Sequence, residues 1–129
     1  MDFFCSFIYA SNFAVDRVQL WEDIRFHHSS PLIRGKPWMI MGNFNEFLTL
    51  DEHSGFPGSM ERGTRVSHCS LTDLAYHGPK YTWTNKQGDS PISKKLDRVL
   101  ISDSWLQVFP NSYSVYEAGG CGIYLTAPS

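Results

Sequence analysis

Three short polar segments are the places where this chain could do chemistry. Tyr9-Ala10-Ser11-Asn12 closes a mostly apolar run that begins at Phe3. Gly42-Asn43-Phe44-Asn45-Glu46 follows directly on the apolar run Trp38-Met39-Ile40-Met41. Asp97 stands in Lys95-Leu96-Asp97-Arg98, at the head of a third apolar stretch. A polar loop at the carboxyl end of a strand is where α/β sheets usually bind ligands. Each segment also has a plain structural reading. Asn and Gly tolerate the backbone angles that turns need, Asn12 can cap a helix, and Asp97 can be a surface charge paired with Arg98. A fourth feature is electrostatic: Lys80, Lys86, Lys94, Lys95 and Arg98 fall within 19 residues, opposed only by Asp89 and Asp97. Such a cluster, with Tyr81 and Trp83 interleaved, suits either a polyanion or a solvated face.

The elements that must position these groups can be read from periodicity and breakers. FFCSFIYA (3–10) is a strand. Asn12 then precedes AVDRVQLWEDIRFHH, in which Ala14, Val18, Trp21 and Ile24 share one helical stripe. Ser29-Ser30-Pro31 and Gly35-Lys36-Pro37 break the chain. The continuous apolar run at 38–41 is the pattern of a strand covered on both faces. Thr64 to Leu74 reads as a helix carrying Val66, Leu71 and Leu74, and Tyr81 to Thr84 as an alternating strand. Lys95 to Ile101 is a further strand, Asp103 caps a short helix stopped by Pro110, and Ser112 to Ala118 is the last strand. Helices and strands alternate, so the expected class is α/β or α+β.

Composition narrows the function classes. The chain has 129 residues, enough for about one domain. Aromatic residues make up 15% and charged residues only 19%, so there is ample surface to bury and no case for disorder. The net charge of −2 excludes a strongly basic nucleic-acid module as a description of the whole chain. No run is long enough to span a membrane as a helix. Three cysteines, Cys5, Cys69 and Cys121, are odd in number and widely spaced, which predicts an intracellular, reduced chain without separating nucleus from cytoplasm. A zinc site could only be improvised from Cys69, His68 and His77, and three isolated thiols are the simpler reading.

Taken in order, the blocks say more than they do singly. YASN, WMIMGNFNE, YHGPKYTWTN and KKLDRVLIS with a following Trp resemble the endonuclease/exonuclease/phosphatase (DNase I-like) superfamily, in the branch of plant LINE-type retrotransposon endonucleases. The likeness runs from about Phe7 to Cys121. It implies a two-sheet sandwich flanked by helices, of which this chain would hold mainly one mixed sheet, the N-terminal half being missing. Residues 1–121 would be the partial domain and 122–129 an irregular tail. The family activity would be Mg-dependent phosphodiester hydrolysis, which needs a cation, a base to activate water and donors at the developing oxyanion. On that likeness Tyr9 and Asn12 lie near the scissile phosphate, Asn45 helps hold water and phosphate, and Asp97 orients a histidine or a metal-bound network.

Departures from the family pattern imply a loss of turnover. Asn43 stands where the family has Asp, and an amide cannot take a proton from water as a carboxylate can. Gly122-Ile123-Tyr124 replaces the family's Ser-Asp-His block, and none of His27, His28, His53, His68 or His77 lies there. The family's metal-binding Glu belongs to the half this chain lacks, so no metal ligand and no bound cofactor are expected. One lost general acid or base costs roughly 10²–10⁴ in rate. The expectation is therefore a catalytically inactive remnant with vestigial Asn43, Asn45 and Asp97. The competing expectations are a weak DNA- or RNA-binding module on the Lys80–Arg98 patch, and a hydrolase completed by a separate N-terminal half. No membrane partner is expected. Phe3, Phe4, Phe7, Trp38, Phe44, Tyr81, Trp83 and Trp105 are the core candidates, and loss of a covering sheet predicts self-association through the exposed face.

Overall fold

A computed structural model describes residues 2–45, 54, 70–84, 92–117 and 120–124. The elements, in chain order, are β1 (Phe4–Tyr9), α1 (Ala14–Ser29), β2 (Trp38–Asn43), β3 (Leu71–Asp73), β4 (Tyr76–His77), β5 (Trp83–Thr84), β6 (Ser93–Lys94), β7 (Asp97–Ser102), α2 (Asp103–Val108), β8 (Tyr113–Glu117) and β9 (Gly120–Tyr124). The mixed α/β class is as expected, and the described strands form one main mixed sheet and two smaller ones. The largest has the order β1-β2-β7-β3, with β1 parallel to β2 and β7 antiparallel to both β2 and β3. A second has the order β4-β8-β9, and β5 pairs only with β6.

Register and the alternation of side chains assign the faces of the main sheet. On one face lie Phe4, Ser6 and Ile8 of β1, Trp38 and Ile40 of β2, Arg98, Leu100 and Ser102 of β7, and Leu71 and Asp73 of β3. Here α1 lays down Trp21 and Ile24, which bury with Trp38, Ile40, Phe44, Leu71 and Leu100. On the other face Met39, Val99 and Ile101 bury with Leu74 and Trp105, and half-buried Met41, Phe109 and Ile123 close the cluster. That second cluster joins the main sheet to α2 and to β9. A strand covered on both faces must be apolar at every position, which accounts for the unbroken run Trp38–Met41.

Gly42 shows how closely β1 and β2 approach. Its φ is 140°, and a Cβ there would lie 2.0 Å from the carbonyl oxygen of Ile8. Only glycine fits.

Several local expectations are corrected. Asn12 does not cap α1: Phe13 occupies the N-cap position, and Ser11 Oγ accepts from Phe13 N at 3.1 Å while donating to Asp16 Oδ2 at 2.9 Å. Arg17 Nη1 donates to the carbonyls of Ser11 and Asn12, holding the same turn. Ser102, not Asp103, caps α2, its hydroxyl accepting from Trp105 N at 3.3 Å. Of the helix expected over 64–74, residues 71–73 are strand β3 and 64–69 lie outside the described residues. Leucines three apart mark one helical stripe, but in an extended chain they point to opposite faces. Both faces are covered here, so Leu71 joins the α1 cluster and Leu74 the other. The strand expected over 81–84 shortens to Trp83–Thr84. Residues 122–124, expected as irregular tail, belong to β9, where Gly122 pairs with Val115 and Tyr124 with Tyr113.

The core expectation also divides. Trp38, Phe44 and Trp105 are buried, and Phe4 is half-buried against the α1 cluster. Phe7 is 76% exposed, and Phe3, Tyr81 and Trp83 are exposed too.

Candidate functional site

Tyr9, Asn43 and Asp97 form one row across three adjacent strands. Tyr9 is in register with Asn43, and Asn43 with Asp97. By parity all three lie on the face opposite α1, at the end of the sheet where β1 and β2 finish and β7 begins. Register therefore brings together a phenol, an amide and a carboxylate from residues as far apart as 9 and 97. Tyr9 is 87% exposed, while Asn43 and Asp97 are half-buried. Asn12 is exposed in the turn that follows β1.

The loop after β2 is held by its own side chains. Asn43 Oδ1 accepts from Asn45 N at 2.7 Å, an Asx turn. Asn45 adopts φ 51°, a left-handed conformation that Asn tolerates better than most residues. Its Nδ2 donates to the carbonyl of Ala10, and Ala10 N donates to the carbonyl of Asn43 at 2.8 Å. Between them Phe44 is fully buried and stacks on Trp21, 5.5 Å between centroids, while Phe44 N donates to Leu96 O at 2.8 Å. The two asparagines thus build the turn that locks the end of β1 onto β2. The start of β7 is fixed by a residue the sequence reading passed over: Thr82 Oγ1 accepts from the backbone N–H of both Leu96 and Asp97 at 3.0 Å. Two polar groups bonding one hydroxyl across 14 or 15 residues leave no periodic signal.

The basic cluster does not stay together. Lys95 is 3% exposed, its ammonium 4.0 Å from the centroid of the Tyr76 ring and 4.4 Å from that of Tyr116. Two ring faces offer a cation an electrostatic site away from water. Arg98 is 1% exposed on the α1 face, and its Nη1 donates to both carboxylate oxygens of Asp73 at 3.1 and 3.0 Å. Lys95 and Arg98 are therefore removed from the expected nucleic-acid patch. The pairing of Arg98 with Asp97 is also corrected: neighbours on a strand point to opposite faces, so Arg98 meets the β3 carboxylate instead. Lys94 remains at the surface, 5.3 Å over the Trp83 ring, and Lys80 lies 5.8 Å from the Tyr81 ring. Lys86 lies outside the described residues.

A hard divalent cation prefers carboxylates and other oxygen ligands in number. The Tyr9–Asn43–Asp97 row presents one carboxylate, and the oxygen of Asn43 is engaged in the turn. No group of three His, Cys, Asp or Glu side chains gathers among the described residues. The row does not fit a Mg2+ centre. Elsewhere, partial desolvation raises the Cys5 thiol above its ordinary pKa, which keeps it protonated at neutral pH. No helix among the described residues is long and apolar enough to cross a membrane.

No family model matches the chain, and no curated protein matches it. Among solved structures it is similar to the beta toxin 275-280 from Staphylococcus aureus, with a TM-score of 0.51 and 14% identity over 87% of this chain and 42% of that one. The chain thus spans less than half of that protein. At this identity the likeness bears on the fold alone. The narrower resemblance, to plant LINE-type retrotransposon endonucleases, is overturned: no family model supports it, and the solved structure this chain is similar to is that of a Staphylococcus aureus toxin at 14% identity. The physical reason lies in the blocks themselves. Gly42-Asn43-Phe44-Asn45 is spent on a close strand approach, an Asx turn and a buried ring, requirements of the local fold that point to no one branch of proteins.

Proposed function

We propose that this chain is a DNase I-like unit that no longer hydrolyses phosphodiesters, comprising residues 1–121 together with the rest of β9. The observation that supports this reading is the row Tyr9–Asn43–Asp97, which has an amide at its centre. An amide neither accepts a proton from water nor supplies the charge that would hold a cation. Asn43 and Asn45 use polar atoms to hold the loop, which further separates them from a reacting phosphate. Incubated with supercoiled plasmid and Mg2+, the purified protein is expected to leave the plasmid intact. Nicking that disappears in Asp97→Ala and Asn45→Ala proteins would overturn the proposal.

A second reading rests on the β5–β6 hairpin. Trp83 is in register with Lys94, and Lys94 and Lys80 lie over half-exposed aromatic rings. Rings flanked by ammonium groups suit a single-stranded polyanion, whose bases stack while its phosphates meet the lysines. Base–aromatic stacking is worth about 1–3 kcal/mol per base, so Trp83→Ala should weaken binding of a labelled single-stranded oligonucleotide roughly tenfold or more. Lys94→Glu should also flatten the salt dependence. Lys95→Glu is not an equivalent probe, because it would place a carboxylate against the rings of half-buried Tyr76 and buried Tyr116. Fluorescence anisotropy that is unchanged at low salt in wild type, with no binding, would remove this reading.

A further inference from the structure

The row Tyr9–Asn43–Asp97 holds hydrogen-bonding capacity that the protein itself does not use, and we propose that it binds the base-pairing edge of an unpaired guanine. This goes beyond the loss of hydrolysis argued above, because it gives the same surface a binding role without turnover. The polar groups around the row are engaged. Asn43 Oδ1 accepts from Asn45 N at 2.7 Å, and Asn45 Nδ2 donates to the Ala10 carbonyl. Thr82 Oγ1 accepts from Leu96 N and Asp97 N at 3.0 Å. By contrast, among the described residues neither Asn43 Nδ2 nor the Asp97 carboxylate has a hydrogen-bond or ion-pair partner. Both residues are half-buried and held in place. The Asx turn fixes the Asn43 amide with its N–H donors turned away from the loop, and Thr82 pins the Asp97 backbone.

The order of these groups selects a ligand. Asn43 is the register partner of both Tyr9 and Asp97, and adjacent strands lie about 4.8 Å apart. Across the sheet the row therefore presents an aromatic ring, an amide donor and a carboxylate acceptor. A phosphate bonded to the amide would be repelled by the Asp97 charge one strand away. A neutral, planar ligand fits when its edge carries an acceptor beside two donors. Guanine has that edge: O6 accepts, and N1–H and the 2-amino group donate. The Asn43 amide donates to O6, the Asp97 carboxylate accepts from N1–H and the 2-amino group together, and the exposed Tyr9 ring supplies a stacking face. Adenine, cytosine and uracil each offer a single donor group there and leave one carboxylate oxygen unmet. In a duplex this edge is taken by the partner base, so the guanine must be unpaired.

Titration of the isotope-labelled protein with GMP and with IMP, followed by NMR, tests this. IMP keeps the phosphate, the ribose, O6 and N1–H of GMP and lacks only the 2-amino group, so it also controls for a site that reads the sugar. GMP should bind about tenfold more tightly than IMP, the loss expected for one hydrogen bond to a charged group. Asp97→Asn retains the backbone bond to Thr82 and should bring the two nucleotides to equal affinity with an unchanged circular dichroism spectrum. Tyr9→Ala, a change at an exposed position, should weaken both by about fivefold or more through lost stacking. A thymidine pentamer with guanine at its centre separates two sources of the base. Affinity above that of GMP assigns the site to a single strand, and equal affinity assigns it to the free nucleotide. No binding of GMP, equal affinity of wild type for GMP and IMP, a GMP preference that survives Asp97→Asn, or undiminished binding by Tyr9→Ala would each overturn the proposal. The plasmid assay reads hydrolysis separately, so either result can fail without the other.

Discussion

Replacing Trp105 by alanine should destabilise the protein by about 3–5 kcal/mol, the range for truncating a buried large aromatic side chain. Trp105 is 1% exposed and sits where α2 meets the main sheet, in one cluster with Met39, Leu74, Val99 and Ile101. Its ring makes an edge contact with Phe3, 5.7 Å between centroids, and a tilted one with Phe109 at 4.8 Å. Its Nε1 donates to Ser112 Oγ at 3.0 Å, and its backbone N–H meets the capping hydroxyl of Ser102. Alanine would leave a cavity at the junction of two layers and take from Ser112 Oγ the hydrogen bond it accepts, while its own bond to Phe109 O remains. Because the whole protein should be stable by only about 5–15 kcal/mol, a loss of this size is a large share of it. Thermal melts followed by circular dichroism should show a midpoint lower by at least about 6 °C, given the shift per kcal/mol usual for domains near this size. Trp105→Phe should recover most of the loss, keeping the ring contacts and giving up a hydrogen bond worth about 1 kcal/mol. A Trp105→Ala protein that melts within a degree or two of wild type would show that α2 is not part of the core.

Asp73→Ala should cost more stability than Arg98→Met, although Arg98 is by far the more buried partner. Removing the carboxylate takes from the guanidinium inside the α1 face the two hydrogen bonds and the opposite charge that Asp73 supplies. Breaking a buried pair from one side typically costs about 3–5 kcal/mol. Here the low end applies, because the Asp73 side chain is 46% exposed and water reaches that side of the pair. Arg98→Met instead removes the buried charge and keeps an unbranched chain of similar length on the α1 face of the sheet, while the half-exposed Asp73 can be solvated by water. Chemical denaturation of the two variants gives the order. If Arg98→Met proved the more damaging, the pair would be stabilising in itself and not merely a buried charge that needs an answer.

How much was legible beforehand follows from which interactions are local. The Trp38–Met41 run and the βαβ opening could be read because continuous apolar stretches and helical stripes are written in neighbouring residues. The polar loop at 42–45 could be located for the same reason. Its internal bonds, from Asn43 to Asn45 and from Asn45 to Ala10, needed the third dimension. Leu71 and Leu74 misled because a spacing of three serves a helix stripe and a two-faced strand equally well. The narrow family resemblance misled in a similar way, since turn chemistry shared by a fold was taken for the mark of one branch.

The opposite fates of adjacent charged residues mark the limit most clearly. By itself the sequence determined that Lys94, Lys95, Asp97 and Arg98 are close along the chain, that a strand begins there, and that the composition suits a mixed α/β unit. Tertiary structure alone decided that Lys94 stays outside over Trp83, Lys95 is enclosed by Tyr76 and Tyr116, Asp97 joins Tyr9 and Asn43, and Arg98 turns to Asp73. A strand sends successive side chains to opposite faces, and what waits on each face comes from other segments of the chain. Charge density along the chain cannot carry that information, because burial is a property of the partner surface.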